Sequence, residues 1–216
     1  MHIYAFGSIC RGDVSFGSDV DLLAVVQGHD PRFSVDDYSV YSYERVKEIW
    51  SEGNPFAWHL SLESKLLFSS DQIDFLRSLG KPEPYNRCRA DCEKFFALFL
   101  EAQDSFKSQG DSLVFDLSMV FLAVRNFATC FSLGKLPKPD FSRNSALHLG
   151  RHSLLTPRDA YGVIERSRLL STRAVGSPIT NQDAKVAFGA FPGIQEWMIF
   201  LLKEIDELCD TNSITG

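Results

Sequence analysis

The sequence predicts a strand-rich α/β unit of about eighty residues, followed by an all-α helical bundle. Three observations lead there. Short apolar runs alternate with turn signals up to Leu79. Gly80-Lys81-Pro82-Glu83-Pro84 then reads as a linker, dividing the chain into 1–80 and 81–216. Beyond it, long stretches carry apolar side chains at helical spacing, joined by short breaks.

Ile3-Tyr4-Ala5-Phe6 reads as a first strand running into Gly7-Ser8. A short helix and a second strand over Leu22-Leu23-Ala24-Val25-Val26 follow. Glycine at 7 lets the backbone approach a ligand with no Cβ in the way. Ser8 caps the helix or offers its hydroxyl to a phosphate oxygen, and free N–H groups at a helix start favour anions. Asp19 and Asp21 stand at i and i+2 of a strand, so both carboxylates project from one face. Two such charges repel unless a cation lies between them, and hard oxygen ligands suit Mg²⁺, which also binds substrate phosphates.

A third strand is expected over Val35 to Tyr43. Tyr43 to Trp50 has a helical pattern with Val46, Ile49 and Trp50 on its buried stripe. Phe56 to Leu62 reads as another helix, carrying His59 as a core-edge residue satisfied by a backbone carbonyl or, less in keeping with its apolar neighbours, as a nucleotide contact or base. Lys65 to Phe68 reads as an edge strand, and Asp71 to Leu79 as a helix capped near Ser70. In the second half, helices are expected over Asn86 to Ser108, Leu113 to Leu133, Pro157 to Leu170 and Ile194 to Leu208, with a weaker one over Thr180 to Phe188. Arg125-Asn126 reads as a buried polar anchor between helices.

Composition bounds the function. An apolar content of 44% and a charged content of 23% over 216 residues are those of a globular protein with a sizeable core. No run approaches the roughly 18 apolar residues that span a bilayer, and no secretory pattern opens the chain, so the cytoplasm is the expected location. The five cysteines form no Cys-x-x-Cys pair; Cys88 and Cys92, at i and i+4, are expected as buried thiols. The whole net charge of -6 falls within residues 1–80, leaving the remainder neutral. That balance disfavours nucleic acid as a partner without excluding it. Six arginines between 143 and 173 (143, 151, 158, 166, 168, 173) form either a basic wall for phosphates or a solvated helix face.

The run Gly7-Ser8, ten residues, then Asp19-Val20-Asp21 resembles the signature of the polymerase-β-like nucleotidyltransferase superfamily. Arg11-Gly12-Asp13 and Ser18-Asp19-Val20-Asp21-Leu22 are most similar to its minimal members. The resemblance implies an α/β (α+β) nucleotidyltransferase domain with a mixed sheet. It also implies Mg²⁺-dependent transfer of a nucleoside monophosphate, AMP from ATP in the first instance, to a hydroxyl acceptor on a protein or small molecule. Gly7, Ser8, Arg11 and Ser18 would bind the nucleotide; Asp19 and Asp21 would hold two Mg²⁺ ions. A third carboxylate is expected on the neighbouring strand; of Asp36 and Asp37, which point to opposite faces there, Asp37 fits better. Expected partners are a nucleoside triphosphate, a protein such as a toxin, and a second copy in a homodimer, with no membrane.

The alternative is a nucleotide-binding antitoxin or interaction module of a HEPN-type toxin system, with little turnover. Arg143 and His148 also fit the Arg-x4–6-His pattern of HEPN ribonucleases, a match expected about once by chance in a chain of this composition.

Overall fold

The computed structural model describes residues 1–13, 20–108 and 112–212. The chain forms two compact units, Met1–Asn86 and Arg87–Gly216.

The first unit is built on a mixed four-stranded sheet in the order β3-β2-β1-β4. Strand β1 (His2–Phe6) lies between β2 (Asp21–Val26) and β4 (Ser64–Ser69), antiparallel to both; β3 (Ser39–Ser42) runs parallel to β2. Alternation along β1 and β2 sends Tyr4, Phe6, Leu23 and Val25 to one face. There they meet Val46, Ile49 and Trp50 of α2 (Tyr43–Ser51), Ala57 and Leu60 of α3 (Pro55–Glu63), and Leu76 of α4 (Phe75–Ser78). The expected buried stripe of α2 is thus observed in full.

Helices α2, α3 and α4 start where a side chain satisfies one of their first N–H groups. The Ser42 hydroxyl accepts from Arg45 N, and Asn54 accepts from Phe56 N with Pro55 at the first helical position. Asp74 accepts from Arg77 N, so the helix expected from Asp71 is a single turn beginning at Phe75. Residues 71–74 are occupied otherwise. The ring of buried His2 lies 2.8 Å from Tyr43 Oη by Nδ1, and 3.1 Å from Asp71 Oδ1 by Nε2. Tyr4 Oη donates to Asp74 and accepts from Leu76 N.

Residues 80–84 are not a free tether. Trp50 Nε1 donates to Gly80 O at 3.1 Å, Glu83 N to Trp50 O at 3.0 Å, and Trp58 Nε1 to Glu83 O at 3.0 Å. The segment straps α2 and α3, and the division between units falls at 86/87 rather than 80/81.

The second unit consists of α5 (Cys88–Lys107), α6 (Leu113–Lys135), α7 (Arg158–Arg173) and α8 (Asn181–Asn212). Helix α6 packs against the other three. By length and composition it is able to cross a membrane, contrary to the expectation that no stretch comes close. Most of its surface is instead covered within the unit, and Phe127 and Phe131 are fully buried. The two segments expected as separate helices between Thr180 and Leu208 are one helix that runs through Pro192. Proline inside a helix costs about 3 kcal/mol. The buried stripe Phe191, Ile194, Met198, Leu201 and Ile205 offsets this by packing a continuous face. A reciprocal cap starts the helix: Thr180 N and Oγ1 donate to Asp183, whose own N–H returns to Thr180 Oγ1.

Candidate active site

The sheet brings the Gly7 turn against the start of β2. Phe6 pairs with Asp21 in the antiparallel register, so the chain turns at Gly7 directly beside the Asp21 carboxylate. Gly7 is buried and has φ +75 and ψ -139, a region open to glycine. A Cβ at this position would lie 2.7 Å from Asp21 Oδ2. The missing side chain is what allows the turn and the carboxylate to meet.

The following helix α1 (Ser8–Arg11) is one turn long and ends on left-handed Gly12. Gly7 occupies its cap position, and Ser8 is its first residue, not its cap. Cys10 donates its thiol to Ala5 O at 3.3 Å, and burial pushes that thiol's pKa up.

Arg11 lies half-buried between two carboxylates. Its Nε donates to Asp13 Oδ2 at 3.0 Å, and its Nη1 to Glu63 Oε2. Burial pulls its pKa down, but the bonds to Asp13 and Glu63 outweigh it and leave the guanidinium still more firmly charged. Glu63 closes α3, and its Oε2 also lies 3.0 Å from His59 Nε2, one helical turn earlier. Its backbone carbonyl accepts the Gly7 N–H at 3.1 Å. His59 Nε2 thus stands at ion-pair distance from a carboxylate, and its ring packs edge-on against Phe6. The i, i+4 spacing of His59 and Glu63 was the signal for that pair. Nothing in the sequence linked either residue to Arg11.

The remaining expected site residues are less closely gathered. Ser18 and Asp19 lie outside the described residues. The third strand is shorter than expected, because Asp37 N bonds back to Ser34 O in a turn. Asp36 and Asp37 both sit exposed in that turn, ahead of the β2–β3 ladder, which opens at Leu23 and Ser39. Among the described residues, no three metal-ligating side chains converge. Asp21 itself suits a hard divalent cation: it places an oxygen donor at a strand end, beside a turn kept open by the absence of a Cβ.

In the second unit, two arginines of the cluster meet carboxylates. Arg143 pairs with Glu165 at 3.8 Å and Arg166 with Asp183 at 2.8 Å, while Arg151 stands beside His152, itself 3.3 Å from Glu204. His148 faces Asp140, so Arg143 and His148 engage different carboxylates. Arg125 is half-buried and donates to Asn126 and to the carbonyls of Phe141 and Ser142, so it ties the segment after α6 to that helix, where a buried anchor between helices was expected. Cys88 and Cys92 are buried, as expected of them, with Cys92 directed at Phe127 O.

Residues 2–80 match the nucleotidyltransferase domain family. The N-terminal unit is therefore a nucleotidyltransferase domain of the polymerase-β-like minimal type, followed by a mostly helical region. No curated protein and no solved structure gives a significant match to the chain. A domain of this family takes a nucleoside triphosphate as substrate, usually with a divalent metal.

Proposed function

We propose that this protein transfers AMP from ATP, with Mg²⁺, to a hydroxyl group on a protein or small molecule. The observation that carries the reading is the packing of the Gly7 turn on Asp21 within the matched domain. Gly7 and Ser8 would hold the β- and γ-phosphates, with help from Ser18. Asp19 and Asp21 would hold the metal ions, with Asp37 as third ligand. Bound Mg²⁺ would neutralise triphosphate charge and stabilise the attacking and leaving oxygens. The protein's own contribution is positioning and a fixed electrostatic environment.

Asp37's exposed place in a turn favours a second reading, in which the site binds nucleotide and a toxin-like partner with little turnover. One experiment separates the two. The protein and its co-purifying partners are incubated with ATP and Mg²⁺ and weighed by mass spectrometry. Added AMP on any species, lost in Asp21→Ala and on chelation by EDTA, supports the transferase. Tight ATP binding without product supports the module. Transfer retained in both Asp19→Ala and Asp21→Ala refutes the proposed mechanism.

A further inference from the structure

Glu63 holds the turn in two ways. Its main chain accepts the Gly7 N–H at 3.1 Å, fixing the turn to the α3–β4 junction. Its carboxylate takes Arg11 Nη1 and stands 3.0 Å from His59 Nε2 on the same oxygen. Glu63 and His59 are mostly buried, their side chains 15% and 13% exposed, and Arg11 is 21% exposed. The pairing is therefore shielded from water far more than an ordinary surface ion pair.

Arg11 is one of the residues expected from the sequence to bind the nucleotide. In the fold, two of its donors are already committed, Nε to Asp13 and Nη1 to Glu63. A planar guanidinium held by two carboxylates has one orientation, and α1 is a single turn with no buried residue of its own to anchor it. The external tie through Arg11 supplies what α1 lacks. His59 in turn limits Glu63: it shares Oε2 with Arg11, and its ring is seated on Phe6 at 5.6 Å and Phe56 at 6.5 Å.

We infer that Glu63 is a positioning residue for nucleotide binding, which acts through Arg11 to hold the Gly7-Ser8 turn in its triphosphate-binding form, with His59 fixing the carboxylate. This rests on the proposed nucleotide site. It adds residues from α3 that no motif contains, and it makes Arg11 primarily a tether for the turn.

The test is a double-mutant cycle on the full-length protein, read as the Kd for ATP with Mg²⁺ by calorimetry. Glu63→Gln keeps the size and one acceptor oxygen but removes the charge. Expected is a loss of affinity of about tenfold in Glu63→Gln and in Arg11→Gln, and no further loss in the double variant, because the two act as one unit. Arg11→Lys retains a single charged contact and recovers part of the affinity. Additive losses, or an unchanged Kd in Glu63→Gln, overturn the inference. Should Glu63→Gln fail to fold, His59→Gln replaces it in the cycle with the same expected pattern. If the unaltered protein binds no ATP, or if Asp21→Ala leaves binding intact, the functional reading itself fails. Binding that depends on Asp21 but ignores Glu63 removes the inference alone.

Discussion

Replacing Gly7 by alanine probes the contact on which the site depends. Two costs arise, and the structure separates them. The first is conformational: at φ +75 and ψ -139 an L-residue is strained by about 1–3 kcal/mol. The second is steric: the new methyl would meet Asp21 Oδ2 at 2.7 Å, so the carboxylate must swing away from the turn. Gly80→Ala is the matched control. Its φ is +71, but a Cβ there meets nothing within 4 Å, so only the conformational cost, about 1 kcal/mol, applies. Hydrogen exchange read on peptides from β1 and β2 reports the stability of the first unit without interference from the helical one. Calorimetric titration with ATP and Mg²⁺ reports the site. Gly7→Ala is expected to exceed the control in destabilisation and to lose nucleotide affinity, which Gly80→Ala keeps. In an Asp21→Ala background the steric part vanishes and the stability cost of Gly7→Ala falls to its backbone component. Equal stability and equal affinity in Gly7→Ala and Gly80→Ala would refute the claim that the turn and Asp21 form one site.

Gly53→Ala should be more damaging to the fold than either, because its Cβ would lie 2.5 Å from Pro84 O and 2.6 Å from Glu83 O, backbone atoms that cannot step aside. A loss of about 2–4 kcal/mol is expected, read as faster exchange of the α2 and 80–84 amides. Phe127→Ala removes a fully buried ring that packs on Trp197 at 5.5 Å, and should cost the helical unit about 3–5 kcal/mol in urea denaturation followed by tryptophan fluorescence. Thr180's N–H and hydroxyl, and then Arg166, hold the Asp183 carboxyl down at about 2. Its folded pKa is below the unfolded value, so its support for the start of α8 is present above the ordinary carboxylate range and lost as pH falls towards about 2. A carboxyl NMR titration with a midpoint in the ordinary range would contradict that cap.

Local sequence determined most of the first thirty residues. The apolar run before Gly7-Ser8, the spacing to the aspartates and the second apolar run depend on neighbours a few positions away, and the resulting strand, turn, helix and strand are those observed. The same holds for α2, whose stripe at Val46, Ile49 and Trp50 is written in a 3.6-residue period. Errors fell where a local rule competed with a distant partner. The helix expected through residues 71–74 gave way to bonds with His2 and Tyr4, some seventy positions earlier. Pro192 signalled a break, but a continuous buried face on α8 outweighed it. The segment 80–84 had the composition of a linker and became a strap, because two tryptophan N–H groups found its carbonyls. Above all, the sequence names Gly7, Arg11 and Asp21 but cannot say what surrounds them. Only the pairing of β1 with β2 sets Gly7 on Asp21, and only the return of α3 to β1 brings Glu63 and His59 to Arg11, since contacts between residues far apart in the chain leave no periodic trace along it.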